Sequence, residues 1–169
     1  MDEARFWALI DESRRRCDNR SDDEERWQPA ALESLLVELE PEEIEGFAEI
    51  FGELHARAYR WDLWHAAYVI QGGCSDDGFT DFRSGLIGLG REVYENALRD
   101  PLTLAQLSRD VLPISQEGLA YAAMNAYEAL TGEELEISGG DDAKPAGERL
   151  DRDTIYRVYA ELERKLGPR

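Results

Sequence analysis

The sequence predicts an all-α fold, a compact single-domain bundle of about seven or eight helices, and three observations carry that expectation. Apolar residues recur at spacings of three and four along most of the chain, as in Ile44, Phe47, Phe51, Leu54 and Ala58. Start and stop signals punctuate these stripes: Pro41 and Pro101 suit first helical turns, and Gly132 and Gly167-Pro168 suit ends. No segment shows the alternation of a half-buried strand, and no internal repeat is present.

Each element follows from its own pattern. The first helix is expected from Ala4 to Cys17, burying Phe6, Leu9, Ile10 and Cys17, with Arg14, Arg15 and Arg16 where cations complement the helix dipole. Ser21-Asp22-Asp23-Glu24 reads as the start of a second helix, which Pro29 bends or begins afresh before Leu32, Leu35, Leu36 and Leu39. Pro41 opens the third, with Leu39 and Ile44 spaced as a hydrophobic staple. Trp61, Trp64 and Tyr68 share one face of the fourth, and Leu63, Ala66, Ala67 and Ile70 fill most of the rest, so this helix is expected to be central.

After Gly72-Gly73 the chain exposes Cys74-Ser75-Asp76-Asp77-Gly78 and restarts near Thr80. A long stripe of Phe79, Phe82, Leu86, Leu89, Val93 and Ala97 follows. Gly85, Gly88 and Gly90 interrupt it, each costing about 1 kcal/mol relative to Ala in a helix interior, so close approach of another helix, or a ligand over that backbone, must compensate. Asp100-Pro101 opens a short helix through Leu104 and Leu107. Ser115 is placed to cap another, buried through Leu119, Ala123, Tyr127 and Leu130. Residues 1–132 thus form a helical core and 133–149, with Gly139-Gly140 and Pro145, a flexible connection. Residues 150–167 form a C-terminal helix packed on the core through Ile155, Val158, Leu162 and Leu166.

A chain of 169 residues buries about 70% of its extended surface and needs no disulfide, so Cys17 and Cys74 are expected as thiols. The net charge of −18 disfavours nucleic-acid and anionic membrane partners and favours basic ones. No run of about 18 apolar residues and no cleavable apolar leader is seen, so a cytoplasmic protein is expected.

Two features carry the functional argument. Eight Glu and no Lys or Arg fall between Arg26 and Arg57, and Glu38, Glu42, Glu45, Glu49 and Glu53 recur at helical spacing as one acidic ridge. Such a ridge is either a solvated face or a surface for a basic partner. The other feature is the stretch from Trp61 to Arg83, where Trp61, Trp64, His65, Cys74, Ser75, Asp76, Asp77, Asp81 and Arg83 could surround a pocket. Asp76, Asp77 and Asp81 could offer carboxylates to a hard cation, but the spacing is not that of a calcium loop. The rival reading has Asp76 or Asp77 capping the next helix and an acid paired with Arg83. Cys74 before a helix start is a conceivable nucleophile with His65 as base, opposed by its aspartates. His65 itself is more simply satisfied by Asp62 or Asp81. No Lys follows the glycines, so phosphate cradling is disfavoured, and zinc, metalloprotease and serine-hydrolase patterns are absent.

The motifs Trp61-Asp62-Leu63-Trp64, Gly72-Gly73-Cys74-Ser75-Asp76-Asp77-Gly78-Phe79 and Asp81-Phe82-Arg83 resemble a bacterial family of proteins of unknown function, DUF4240, from Phe6-Trp7 to about Gly132. The resemblance implies no activity. Gly85 stands where that family usually has a bulky aromatic, a departure that leaves a pocket or shifts the packing. The leading reading is a non-enzymatic acidic module that binds a basic protein or peptide and needs no cofactor. The alternative is an enzyme, or a small-molecule or metal-binding protein, using the Gly-Cys-Ser-Asp-Asp loop.

Overall fold

A computed structural model of the chain describes residues 1–18, 28–136 and 144–168. Among these residues the helices are α1 (Glu3–Asp18), α2 (Gln28–Leu36), α3 (Pro41–Arg57), α4 (Trp61–Gln71), α5 (Asp76–Gly88), α6 (Arg91–Arg99), α7 (Gly118–Thr131), α8 (Arg152–Val158) and α9 (Ala160–Leu166). Two short 3-10 segments, Pro101–Gln106 and Arg109–Val111, join α6 to α7. There is no strand among the described residues, only an isolated parallel bridge between Arg60 and Ala146. None of these helices is long and apolar enough to cross a membrane. The fold is all-α.

The helix count exceeds the expected seven or eight because two apolar stripes are each broken once. The stripe from Phe79 to Ala97 divides at Leu89-Gly90, where Gly90 takes φ 92°, a left-handed conformation natural to glycine. There the Leu89 carbonyl accepts from Arg14 Nη1 at 2.7 Å. The C-terminal stripe divides at Tyr159, which turns inward at 5% exposure and leaves Val158 outside. Val158 and Leu130 are both 46% exposed, against the expectation that they are buried. The proposed helix start at Ser21-Asp22-Asp23-Glu24, Arg26, and the Gly139-Gly140 pair lie outside the described residues.

The central helix is α5, not α4. Every residue from Phe82 to Gly88 is buried, and α5 touches α1, α3, α4, α6 and α7. It begins at Asp76, four residues before the expected restart, because the Ser75 hydroxyl accepts the Gly78 N–H at 3.1 Å and so caps it. Its glycines are explained by contact. A Cβ on Gly85 would lie 1.4 Å from the Ile114 carbonyl oxygen, and one on Gly88 would lie 2.5 Å from Leu119 Cδ1. The partner at Gly85 is therefore the segment leading into α7, neither a helix nor a ligand. No pocket opens there. Ser115 is correspondingly not a cap: α7 starts at Gly118 and the Ser115 hydroxyl accepts from Gln71 Nε2.

Around α5 the aromatic rings of Phe6, Trp7, Phe47, Phe51 and Tyr94 pack together, and the Tyr94 hydroxyl donates to the Leu54 carbonyl at 2.6 Å. Leu162 and Leu166 of α9 are buried at 0% and 1% and join the same core.

The glycines of the bundle make opposite predictions. Gly52 lies inside α3 and a Cβ there meets nothing within 4 Å, so Gly52→Ala should raise stability by about 0.5–1 kcal/mol. Gly85→Ala should lower it by about 3 kcal/mol or more, because rigid backbone occupies the space. Chemical denaturation of both variants checks the sign.

Candidate functional site

Trp61, Trp64, His65 and Tyr68 lie on one face of α4, at spacings of three, four and seven. The stretch after α4 reverses through Gly72 at φ 71° and Gly73 at φ 144°, with the Gly73 N–H bonded to the Tyr68 carbonyl at 2.8 Å. Trp64 Nε1 donates to the Cys74 carbonyl at 3.1 Å, tying this corner back to the helix. Trp64 is also sandwiched by stacking, with Trp61 at 4.9 Å and Phe79 at 4.7 Å between ring centroids.

The second wall comes from residues 146–155. Ala146 N–H bonds to the Tyr59 carbonyl and Trp61 N–H to the Ala146 carbonyl, both at 2.9 Å. Leu150 N–H donates to His65 Nε2 at 3.2 Å. These bonds lay the segment as a strap along the start of α4, and the Arg149 guanidinium sits 5.1 Å above the Trp61 ring. Asp151 then caps α8 by accepting from Thr154 N–H at 3.0 Å. Between strap, corner and α4 lies an open cleft of about 440 Å³.

Of the residues singled out in the sequence, Trp61, Trp64, His65, Cys74, Ser75 and Asp76 line this cleft, and Asp77, Asp81 and Arg83 do not. Arg83 is buried at 8% exposure and is ion-paired with no acid among the described residues, contrary to the pairing considered above. It donates to the His55 carbonyl at 3.1 Å and to Thr80 Oγ1 at 3.2 Å, and its guanidinium lies 4.5 Å over the Tyr59 ring. Burial lowers its pKa to about 10. Asp81 is half-buried, its pKa raised by burial and by Glu117 and Asp77. Asp76 and Asp77 are exposed in the first turn of α5, where their charge suits the helix dipole, but the capping oxygen is that of Ser75. Among the described residues no three His, Cys, Asp or Glu side chains are grouped to hold a metal ion.

The two groups considered for covalent chemistry are not paired. The Cys74 pKa is pushed up to about 12 by burial and by Asp76 and Asp81, so its thiol stays protonated. The His65 partner is the Leu150 amide and neither Asp62 nor Asp81, since Asp62 is taken by Arg60 at 2.6 Å. Burial lowers the His65 pKa, and its Nε2 can accept the Leu150 N–H only while neutral. Sequence reasoning missed Arg149, Leu150, Arg152 and Ile155, which also line the cleft. No local pattern marks them, because the strap reaches α4 through tertiary contact.

The sequence model of the family described as protein of unknown function (DUF4240) matches residues 1–129. The chain belongs to the DUF4240 family. The α4 face and the glycine corner lie within the DUF4240 match, whereas the strap and α8 lie beyond it. No curated protein and no solved structure matches the chain.

The acidic ridge forms a second surface. Glu38, Glu42, Glu45, Glu49 and Glu53 are all exposed, and none is ion-paired with a described residue. Glu45 accepts the Tyr127 hydroxyl at 3.2 Å, a bond that raises the tyrosine pKa. Beside the ridge, Phe47, Ala48, Phe51 and Gly52 of α3 and Leu119, Ala120 and Ala123 of α7 line an open groove of about 140 Å³.

His55 closes one part of that groove and titrates in a defined direction. Burial and the Arg83 charge lower its pKa from 6.5 to about 4, and its Nε2–H donates to the Thr80 carbonyl at 3.1 Å. The unfolded chain therefore takes up this proton first. The stabilisation is complete above about pH 6.5 and is lost as pH falls toward 4. Since His55 keeps some solvent contact, we expect about 1–2 kcal/mol, less than the roughly 3.5 kcal/mol that ~1.4 kcal/mol per pH unit gives between 6.5 and about 4. Denaturant titrations at several pH values should show the acid-side loss reduced by that amount in His55→Gln.

Proposed function

We propose that this protein is a non-enzymatic recognition module of the bacterial cytoplasm that binds a basic protein segment along the α3–α7 face. One observation carries the reading: an open apolar groove runs directly beside glutamates that have no cationic partner among the described residues. On α3, Ala48 and Gly52 line the groove while Glu45, Glu49 and Glu53 lie a helical step away, so apolar and anionic features alternate within reach of one ligand. A segment that places an apolar side chain between Gly52 and Ala123 and extends Lys or Arg over the ridge matches both. This is the helix-in-groove mode with electrostatic steering. The non-enzymatic character is supported by the protonated Cys74 thiol and by His65 being engaged with the strap.

A second reading, small-molecule binding at the corner cleft, is favoured by the convergence of Trp61, Trp64, His65, Cys74, Ser75 and Asp76 on one cavity.

The first reading is tested by fluorescence anisotropy with a synthetic Leu/Lys amphipathic peptide. Binding should weaken about tenfold or more as salt rises from about 0.1 M to 1 M, because the screening length contracts from about 10 Å to 3 Å. A Glu45→Gln/Glu49→Gln/Glu53→Gln variant should lose most of this salt dependence. Gly52→Leu, which fills the groove, should weaken binding while retaining it. An equally tight complex with a Leu/Glu peptide would remove the basis for the reading.

A further inference from the structure

The corner cleft carries charges of its own that contrast with the rest of the molecule. In a chain of net charge −18, Arg149 and Arg152 both line this cleft, both are exposed, and neither is ion-paired with a described residue. Their guanidinium groups are held over rings, Arg149 at 5.1 Å from the Trp61 centroid and Arg152 at 5.7 Å from that of Tyr156. Stacking of this kind orients a guanidinium and leaves its N–H fork available for an oxyanion. The cleft also carries an acid, since Asp76 lines it and is exposed. Trp61 and Tyr68, each half-buried, line it as well, and its volume of about 440 Å³ falls in the range of small-molecule sites.

We propose that the cleft binds a small aromatic anion whose oxyanion is received by Arg149 and Arg152, whose ring packs against Trp61 and Tyr68, and which offers a hydrogen-bond donor to Asp76. The proposal rests on the second reading above and specifies its ligand. A carboxylate or phosphate beside Asp76 meets like charge, and an ammonium beside Arg149 or Arg152 meets a guanidinium group. The body of the ligand is aromatic because Trp61, Trp64 and Tyr68 all line the cleft. Both carboxylate and phosphate suit a guanidinium fork, so the shared chemistry is the oxyanion on a flat ring.

Isothermal titration calorimetry with AMP and with indole-3-acetate separates the two anion types, and adenosine serves as the ring without the anion. At least one anion should bind saturably below about 10 mM, with adenosine at least about tenfold weaker. Arg149→Gln/Arg152→Gln should weaken that anion about tenfold or more, and Arg149→Lys/Arg152→Lys should recover part of the loss. Asp76→Trp, which fills the open end, should abolish binding. Circular dichroism melts establish that each variant is folded.

If the Arg149→Gln/Arg152→Gln protein binds as tightly as wild type while Asp76→Trp does not bind, the cleft takes ligands but the assignment to the arginines is overturned. If Asp76→Trp binds as wild type does, or if neither anion binds below about 10 mM, both the assignment and the cleft reading fall.

Discussion

The absence of a side chain at Gly85 governs the arrangement of the bundle. The Ile114 carbonyl lies where a Cβ would be, so the segment entering α7 rests on the α5 backbone itself. Gln116 N–H then bonds to the Asp81 carbonyl at 3.0 Å, and Leu119 packs against Gly88. With those contacts made, α7 runs along both α2 and α3. The α3–α7 groove is a consequence, because the small residues Gly52, Ala120 and Ala123 fail to fill the space between two helices fixed by contacts elsewhere. A glycine whose intrinsic cost is about 1 kcal/mol in a helix is thereby offset by burial of an otherwise impossible neighbour.

The corner is organised by a different balance. Gly72 and Gly73 adopt positive φ, which frees Cys74 and Ser75 to lie at the mouth of the cleft while Ser75 caps α5. Trp64 locks the corner through its indole N–H, and stacking extends from Trp61 through Trp64 to Phe79 in the buried wall of α5. His65 links this rigid side to the strap. It is 3% exposed, with the rings of Trp61 and Tyr159 centred 6.0 and 6.1 Å away, and this burial lowers its pKa while the nearby Asp62 charge acts in the opposite direction. Protonation of His65 would remove the acceptor for Leu150 N–H, so the strap is held to α4 most firmly when the imidazole is neutral.

Much of the helix pattern was legible in the residues because it depends on local periodicity and local caps. Pro41, Gly72 and Gly132 mark boundaries by their own conformational limits. The candidate site was partly legible for the same reason: Trp61, Trp64 and His65 must share a helix face, and the glycine corner must follow. The remainder depended on contacts between distant segments. Ser115 has the chemistry of a cap, but its hydroxyl is engaged by Gln71, 44 residues away in sequence. Arg83 was expected to need an acid, and found carbonyl, hydroxyl and ring partners instead. Tyr159 breaks a regular apolar stripe because its ring has a place in the core that Val158 lacks.

Charge is distributed differently over the two surfaces. The α3 ridge concentrates negative charge on one helix, and its nearest apolar neighbour is an open groove. At the cleft the strap brings guanidinium groups to an aromatic wall that Asp76 also lines. A field set by a net charge of −18 would by itself repel any anion from the whole molecule. Solvent and salt screen that field beyond roughly 8–10 Å, however, so within the cleft the local guanidinium groups dominate over distant glutamates. A protein can therefore be strongly acidic overall and still attract an oxyanion at one place. What makes this possible here is that the strap, lying beyond the DUF4240 match, is bonded in register along α4.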